Sequence, residues 1–165
     1  MKKTAMITLG ILLTIASIGQ IIFSFLRYVP DGNPNIRNAG WVVLMLSAVF
    51  GWLPIYTFRK YGGVARGSSY MRTSELVQNG VYNIVRHPQY LAGLLMNLAL
   101  WMIAQDWLVG VFGLVAAATY FGSVPLEEQD NLDKFGGAYE SYRARVPCLN
   151  FVAGFVRMLR RDRAS

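Results

Sequence analysis

Two short polar clusters in this 165-residue chain carry residue types suited to chemistry. The first is Arg86-His87-Pro88-Gln89-Tyr90, at the start of a long apolar block; the second is Glu127-Glu128, at its end. Proline is favoured in the first turn of a helix, where its missing N–H is not needed. The N–H groups of that turn, with Arg86 beside them, suit a carboxylate or phosphate. Glu127 and Glu128 offer the opposite charge and suit an ammonium group, so the two clusters together would bind a zwitterion. Tyr82 and Tyr90 present aromatic faces that can receive a cation, a sulfonium included. His87, the single histidine, can titrate near neutral pH or simply donate a hydrogen bond.

The elements that must position these residues follow from the placement of charge. Residues 4–26 are 23 in number and uncharged, enough at about 1.5 Å per residue to cross a roughly 30 Å hydrocarbon core. Lys2 and Lys3 could head a signal peptide. The apolar stretch exceeds a normal signal core, however, and no A-x-A site follows, so it is read as a first span. Residues 39–58 form a second, with Pro54 near its end, where a membrane helix tolerates it. From 59 to 89 the chain is polar, with five basic residues against Glu75 alone. The block 90–126 is broken once, at Gln105-Asp106-Trp107, and reads as a helical hairpin with helices near 90–104 and 108–126. A hairpin of that kind returns Glu127-Glu128 to the membrane face from which Arg86 to Tyr90 depart.

The chain holds 16 Lys+Arg against 9 Asp+Glu, a net charge of +7, and only Arg27 and Arg37 fall in the segments 27–38 and 105–107. The positive-inside rule therefore predicts four spans with both termini in the cytoplasm. Residues 149–159 turn apolar again and run into Arg157, Arg160, Arg161 and Arg163. Eleven residues cannot span a bilayer, so an amphipathic helix lying on the inner interface is expected. The fold class is accordingly all-α: a polytopic membrane protein of about four transmembrane helices, with a C-terminal hairpin and an interfacial C-terminal helix. A hydrophobic fraction of 54% with 15% charge, against roughly 45–50% and 25% in soluble domains, excludes a disordered chain and a soluble nucleic-acid binder. One cysteine, Cys148, and one histidine exclude a disulfide framework and a zinc pattern, and no metal is expected.

Plainer readings exist for each of these residues. Arg86-His87 suits a cytoplasmic charge anchor, and Glu127-Glu128 ahead of a basic tail suits a solvated ion-pair network. Tyr82, Tyr90, Trp41, Trp52, Trp101 and Trp107 all suit an aromatic belt. Composition by itself ends at a small four-span membrane protein.

The strings themselves go further. SELVQNGVYNIVRHPQYLAG, residues 74–93, resembles the cofactor-binding signature of isoprenylcysteine carboxyl methyltransferases and related phospholipid methyltransferases. VPLEEQDNLDKFGGAYESYRARVP, residues 124–147, resembles the second half of that signature: an acidic pair, FG, Y-x-x-Y, then VP. The resemblance covers about half the chain, in order, with the apolar hairpin between. It implies a single integral-membrane methyltransferase domain over 1–165, using S-adenosyl-L-methionine and lacking the soluble dinucleotide-type fold. By position the cofactor would contact Ser74, Glu75, Leu76, Val77, Tyr82, His87, Pro88, Gln89, Tyr90 and Glu127. Arg86, His87 and Glu128 are the candidate catalytic residues, with Arg86 open to a structural role instead. The partners implied are the lipid bilayer and a lipid-like or prenylated methyl acceptor, met at the cytoplasmic face.

Elementary chemistry agrees with that cofactor. Its methionine moiety is a zwitterion, and its sulfonium charge disappears on methyl transfer, so an apolar, aromatic-lined site disfavours the ground state more than the transition state. In-line alignment of nucleophile, methyl and sulfur supplies much of the acceleration. A carboxylate acceptor needs no base; an amine or hydroxyl does, and His87 is the candidate. Two positions depart from the isoprenylcysteine pattern. Ser123 stands where an Arg would engage a substrate carboxylate, and Ser74 stands where the first motif often has a larger polar residue. The first departure weakens the case for a prenylcysteine carboxylate, unless Arg59, Arg66, Arg72, Arg143 or Arg145 replaces that Arg. Two other readings stand beside the methyltransferase: a membrane NADPH-dependent reductase of the sterol-reductase type, and a non-catalytic membrane scaffold of the same fold.

Overall fold

The protein, seen here in a computed structural model, is described over residues 2–62 and 75–162. Among those residues the chain is all-α: α1 (Lys2–Leu26), α2 (Pro34–Tyr61), α3 (Pro88–Ala104), α4 (Trp107–Phe135), α5 (Gly137–Arg145) and α6 (Phe151–Asp162), with a 3-10 turn at Gly80–Asn83. α1, α2 and α4 are each long and apolar enough to cross a membrane. α3 is apolar too, but its 17 residues reach only about 26 Å. Large apolar side chains stay exposed along α1, among them Ile7, Ile11, Ile15, Ile18, Ile22 and Phe25. Such a surface suits hydrocarbon surroundings, because water would penalise an apolar patch of that extent.

Several helix boundaries differ from those the hydropathy suggests; α2, for one, spans Pro34–Tyr61 against the expected 39–58. α3 begins at Pro88, not at residue 90, since proline fits the first turn. α4 runs nine residues past 126, to Phe135. Beyond Leu126 the chain loses apolarity but keeps straight-chain helix formers such as Glu127, Glu128, Gln129, Leu132 and Lys134. The helix continues without the hydrophobic stretch until Gly136, where φ is +55°. Glu127 and Glu128 therefore stand inside a helix instead of at its end. Pro125, two residues ahead of them, removes one backbone bond from that helix and releases the carbonyl of Phe121.

The chain divides into two compact units, Met1–Val49 with Ala92–Glu128, and Phe50–Leu91 with Gln129–Ser165. The first is a helical bundle tied by polar side chains. Gln20 of α1, fully buried, donates its Nε2 to the carbonyl of Asn97 in α3 at 2.8 Å and to that of Val109 in α4 at 3.2 Å. Ser47 of α2 donates its hydroxyl to Ala92 in α3 at 2.8 Å. Phe23 stacks on Phe112 with ring centroids 5.2 Å apart.

The two short connections of this unit interlock at one end. The Asn33 amide donates to Gln105 Oε1 at 2.8 Å, and Gln105 Nε2 donates back to the Asn33 carbonyl at 2.7 Å. Asp106 accepts the Leu108 amide at 2.9 Å, as a helix N-cap does, and pairs with Arg27 at 3.3 Å. The hairpin turn expected at Asp106 is thus made and also held by the α1–α2 connection.

Replacing Gln20 by Leu keeps the side-chain volume but breaks the tie among three helices. Gln20→Leu is expected to lower resistance to denaturing detergent by about 1 kcal/mol, the usual range for a hydrogen bond between membrane helices. Thr14→Ala, which removes a hydroxyl bonded only to Gly10 of its own helix, should leave it unchanged. Equal unfolding curves for Gln20→Leu and the parent would reject Gln20 as the tie.

Candidate functional site

The second unit carries most of the first motif and holds it with the second. After α2 the described chain resumes at Glu75, which is exposed, followed by half-buried Leu76 and buried Val77. It then enters the 3-10 turn at Gly80. Gly80 has φ +58°, and a Cβ there would stand 2.8 Å from Oγ1 of buried Thr57, so conformation and space both require glycine. Tyr82, in the turn, is buried and tilts its ring onto Phe58 at a centroid distance of 4.9 Å.

Below the turn lie the Y-x-x-Y tyrosines. Tyr139, Tyr142 and Val146 form a buried cluster, with Leu76, Leu132 and Phe135 packed against it. The Tyr142 hydroxyl donates to the Tyr82 carbonyl at 2.7 Å. Burial, with Tyr139 adding to it, pushes the Tyr142 phenol well above its usual value, so it stays a donor at all ordinary pH.

Arg86 and His87 make the tightest connection between the motifs. Their backbone amides donate to the carbonyls of Pro147 and Cys148 at 3.0 and 3.2 Å. The Arg86 guanidinium donates through Nη1 to the carbonyls of Arg143, at 2.8 Å, and Val146. These are carbonyls at the C-terminal end of α5, where helical bonding leaves acceptors unpaired and favours a cation. Arg145 adds a second link, from Nη2 to Gln78 Oε1 at 3.0 Å.

The same connection fixes the start of α3. The Leu91 amide donates to the His87 carbonyl at 3.0 Å, which makes His87 the cap and Pro88 the first helical residue. His87 is buried and stacks on Tyr90 at 5.4 Å between ring centroids, with 21° between planes. Pro88 is buried, while Gln89 and Tyr90 are half-buried in the first turn. The unit therefore brings together Tyr82, Arg86 and the run from His87 to Tyr90, at a helix start suited to an anion.

Glu127 and Glu128, both half-buried in α4, belong to the first unit. Ser74, like Arg66 and Arg72, lies outside the described residues. Ser123 donates its hydroxyl to the Thr119 carbonyl of its own helix at 2.8 Å.

Comparison with known proteins names the family. The family model for phospholipid methyltransferases matches residues 38–137, more than half of the chain. The chain belongs to the phospholipid methyltransferase family. It is also 33% identical over 78 residues to the protein-S-isoprenylcysteine O-methyltransferase of Schizosaccharomyces pombe. That stretch is 44% of this chain and 31% of the relative, so the chain spans about a third of the curated relative it matches.

The phospholipid methyltransferase match ends at residue 137, the first of α5, yet the carbonyls of Arg143, Val146, Pro147 and Cys148 that Arg86 and His87 engage lie beyond it. The supporting contacts of Thr57, Tyr142 and Arg145 escape a reading of the sequence, since each is long-range. The Y-x-x-Y spacing is the one local sign of them, because it sets two tyrosines on one helical face. Tyr142→Phe removes the bond to Tyr82 and is expected to cost about 1 kcal/mol of stability. The phenol's value is raised in the folded state, so its contribution is complete below the unfolded value near 10 and is lost as pH rises beyond it. Thermal unfolding in detergent should fall less steeply between about pH 10 and 11 in Tyr142→Phe than in the parent. An identical slope would show that Tyr142 carries no such linkage.

Proposed function

We propose that this member of the phospholipid methyltransferase family is an S-adenosyl-L-methionine-dependent enzyme that methylates a lipid or lipidated acceptor at the cytoplasmic face. The observation that supports this best is the pinning of Arg86 and His87 to the carbonyls of residues 143–148, which holds the RHPQY run and Tyr82 in one unit. The reading treats the whole chain as one methyltransferase domain with both termini cytoplasmic, the side to which its basic residues point.

S-adenosyl-L-methionine supplies an electrophilic methyl on a sulfonium. The chain's own residues would bind and orient it. The first turn of α3, from His87 to Tyr90, suits the carboxylate end of a zwitterion. The faces of Tyr82 and Tyr90 suit a sulfonium. Glu75, Leu76, Val77 and Glu127, with Ser74, are assigned to the cofactor by the motif resemblance alone. Arg86 spends its guanidinium on α5 and fits a positioning role more closely than contact with reacting atoms. His87 and Glu128 are the groups that could take a proton from an amine or hydroxyl acceptor. Ser123 bonds within its own helix and offers no cation to a substrate carboxylate, which favours a lipid acceptor over a prenylcysteine.

Binding of S-adenosylhomocysteine to the solubilised protein, followed by calorimetry, tests the cofactor. His87→Ala and Glu127→Ala should each weaken it by at least about tenfold, the loss of one charge-assisted hydrogen bond. NADPH should give no thermal stabilisation. Unchanged affinity in both variants, or stabilisation by NADPH in place of S-adenosylhomocysteine, would reject the proposal. Methyl-labelled S-adenosyl-L-methionine incubated with a native lipid extract should label lipid; label on protein carboxyls instead would refute the choice of acceptor.

A further inference from the structure

α6 has two faces with different neighbours. On one, Phe151 packs against Phe50 with ring centroids 5.5 Å apart. A methyl group added at Gly154 would overlap the carbonyl oxygen of Ile84, so α6 lies directly on the backbone of the first motif. Arg157 donates through Nη2 to the carbonyl of Asn83 and to its Oδ1, the latter at 3.2 Å. Asn83 and Ile84 immediately follow Tyr82 and lead into Arg86 and His87. α6 is therefore seated on the segment that positions those residues.

The other face is an apolar stripe. Val152, Phe155, Val156 and Leu159 recur at i, i+3, i+4 and i+7, and all four are exposed. Their covering is identified by Phe50. That residue lies in α2, a membrane-spanning helix, nine positions before Arg59, hence ~13 Å inside the apolar stretch along the helix axis. A helix seated on Phe50 at its first residue begins at hydrocarbon depth, and its outward stripe meets acyl chains. Exposed Arg160 borders that stripe, and Arg161 and Arg163 follow against Asp162 alone. An apolar stripe bordered by Arg160, in a chain that runs on into further arginines, complements an anionic leaflet.

We propose that α6 is a lipid-facing strut: an anionic leaflet holds its stripe and attracts the arginines at its C-terminal end, and through Gly154 and Arg157 the seated helix orders the segment from Gly80 to His87. Membrane charge then sets how well that segment is formed. The inference deepens the proposed function, because the ordered segment is the one assigned there to the cofactor.

The test measures amide hydrogen exchange over residues 79–87 in the full chain, reconstituted in phosphatidylcholine vesicles with or without phosphatidylglycerol. Phosphatidylglycerol should slow exchange on the order of tenfold, as two arginines at an anionic surface would give. Arg160→Gln with Arg161→Gln should abolish the difference. Phe155→Ser with Leu159→Ser, on the outward stripe, should speed exchange in both vesicles. Equal exchange in the two lipids, or a difference that survives the arginine replacements, would overturn the strut. This readout involves no cofactor: lipid-dependent slowing without S-adenosylhomocysteine binding would fault the cofactor assignment alone and leave the strut standing.

Discussion

A helix that ends inside a protein leaves its last carbonyls without partners, and an extended segment leaves its amides without them. In this chain the two deficits cancel. The carbonyls at the end of α5 and just beyond it accept from the Arg86 guanidinium and from the amides of Arg86 and His87. Orphaned buried backbone groups each cost free energy comparable to a lost hydrogen bond, so neither segment is well satisfied without the other. The position of the first α3 turn follows from this exchange, as do the burial of His87 and the seat of Tyr82 over Tyr142. An Arg that could be read as a charge anchor or a catalytic group is, in its contacts, a cap for another helix.

The two units solve the same problem in different ways. In the first, long apolar helices expose their side chains and place a few polar groups, Gln20 and Ser47, where they tie helices together. Hydrocarbon gives apolar surfaces no reason to hide, so such bonds carry a larger share of the specificity. In the second unit, tyrosines, valines and arginines make a compact cluster around irregular backbone. That arrangement suits residues that must be held in fixed positions without being part of a long helix.

Much of this was legible from residue order. The uncharged runs located α1 and α2, the break at Asp106 located the α3–α4 turn, and Pro88 marked a helix start. The apolar stretch after residue 149 announced α6. The end of α4 was not legible from hydropathy, because its last nine residues form helix by propensity and tertiary contact, and hydropathy reports only the part that faces lipid. Of the site, the motifs supplied the residues; they did not distinguish a group that binds from a group that braces.

The sequence alone determined membership of the phospholipid methyltransferase family, the all-α membrane architecture and the short list of polar residues around Arg86 and Glu127. Those properties reside in local composition and in strings of fixed spacing, which survive without knowledge of the fold. Only the tertiary structure decided that Arg86 caps α5, that Tyr142 supports Tyr82, and that Arg157 seats α6 on Asn83. The physical reason is that each of these bonds joins residues 57 to 74 positions apart in the chain. A donor's chemistry is written in its residue type, but which carbonyl it satisfies is fixed by the packing that brings the two together.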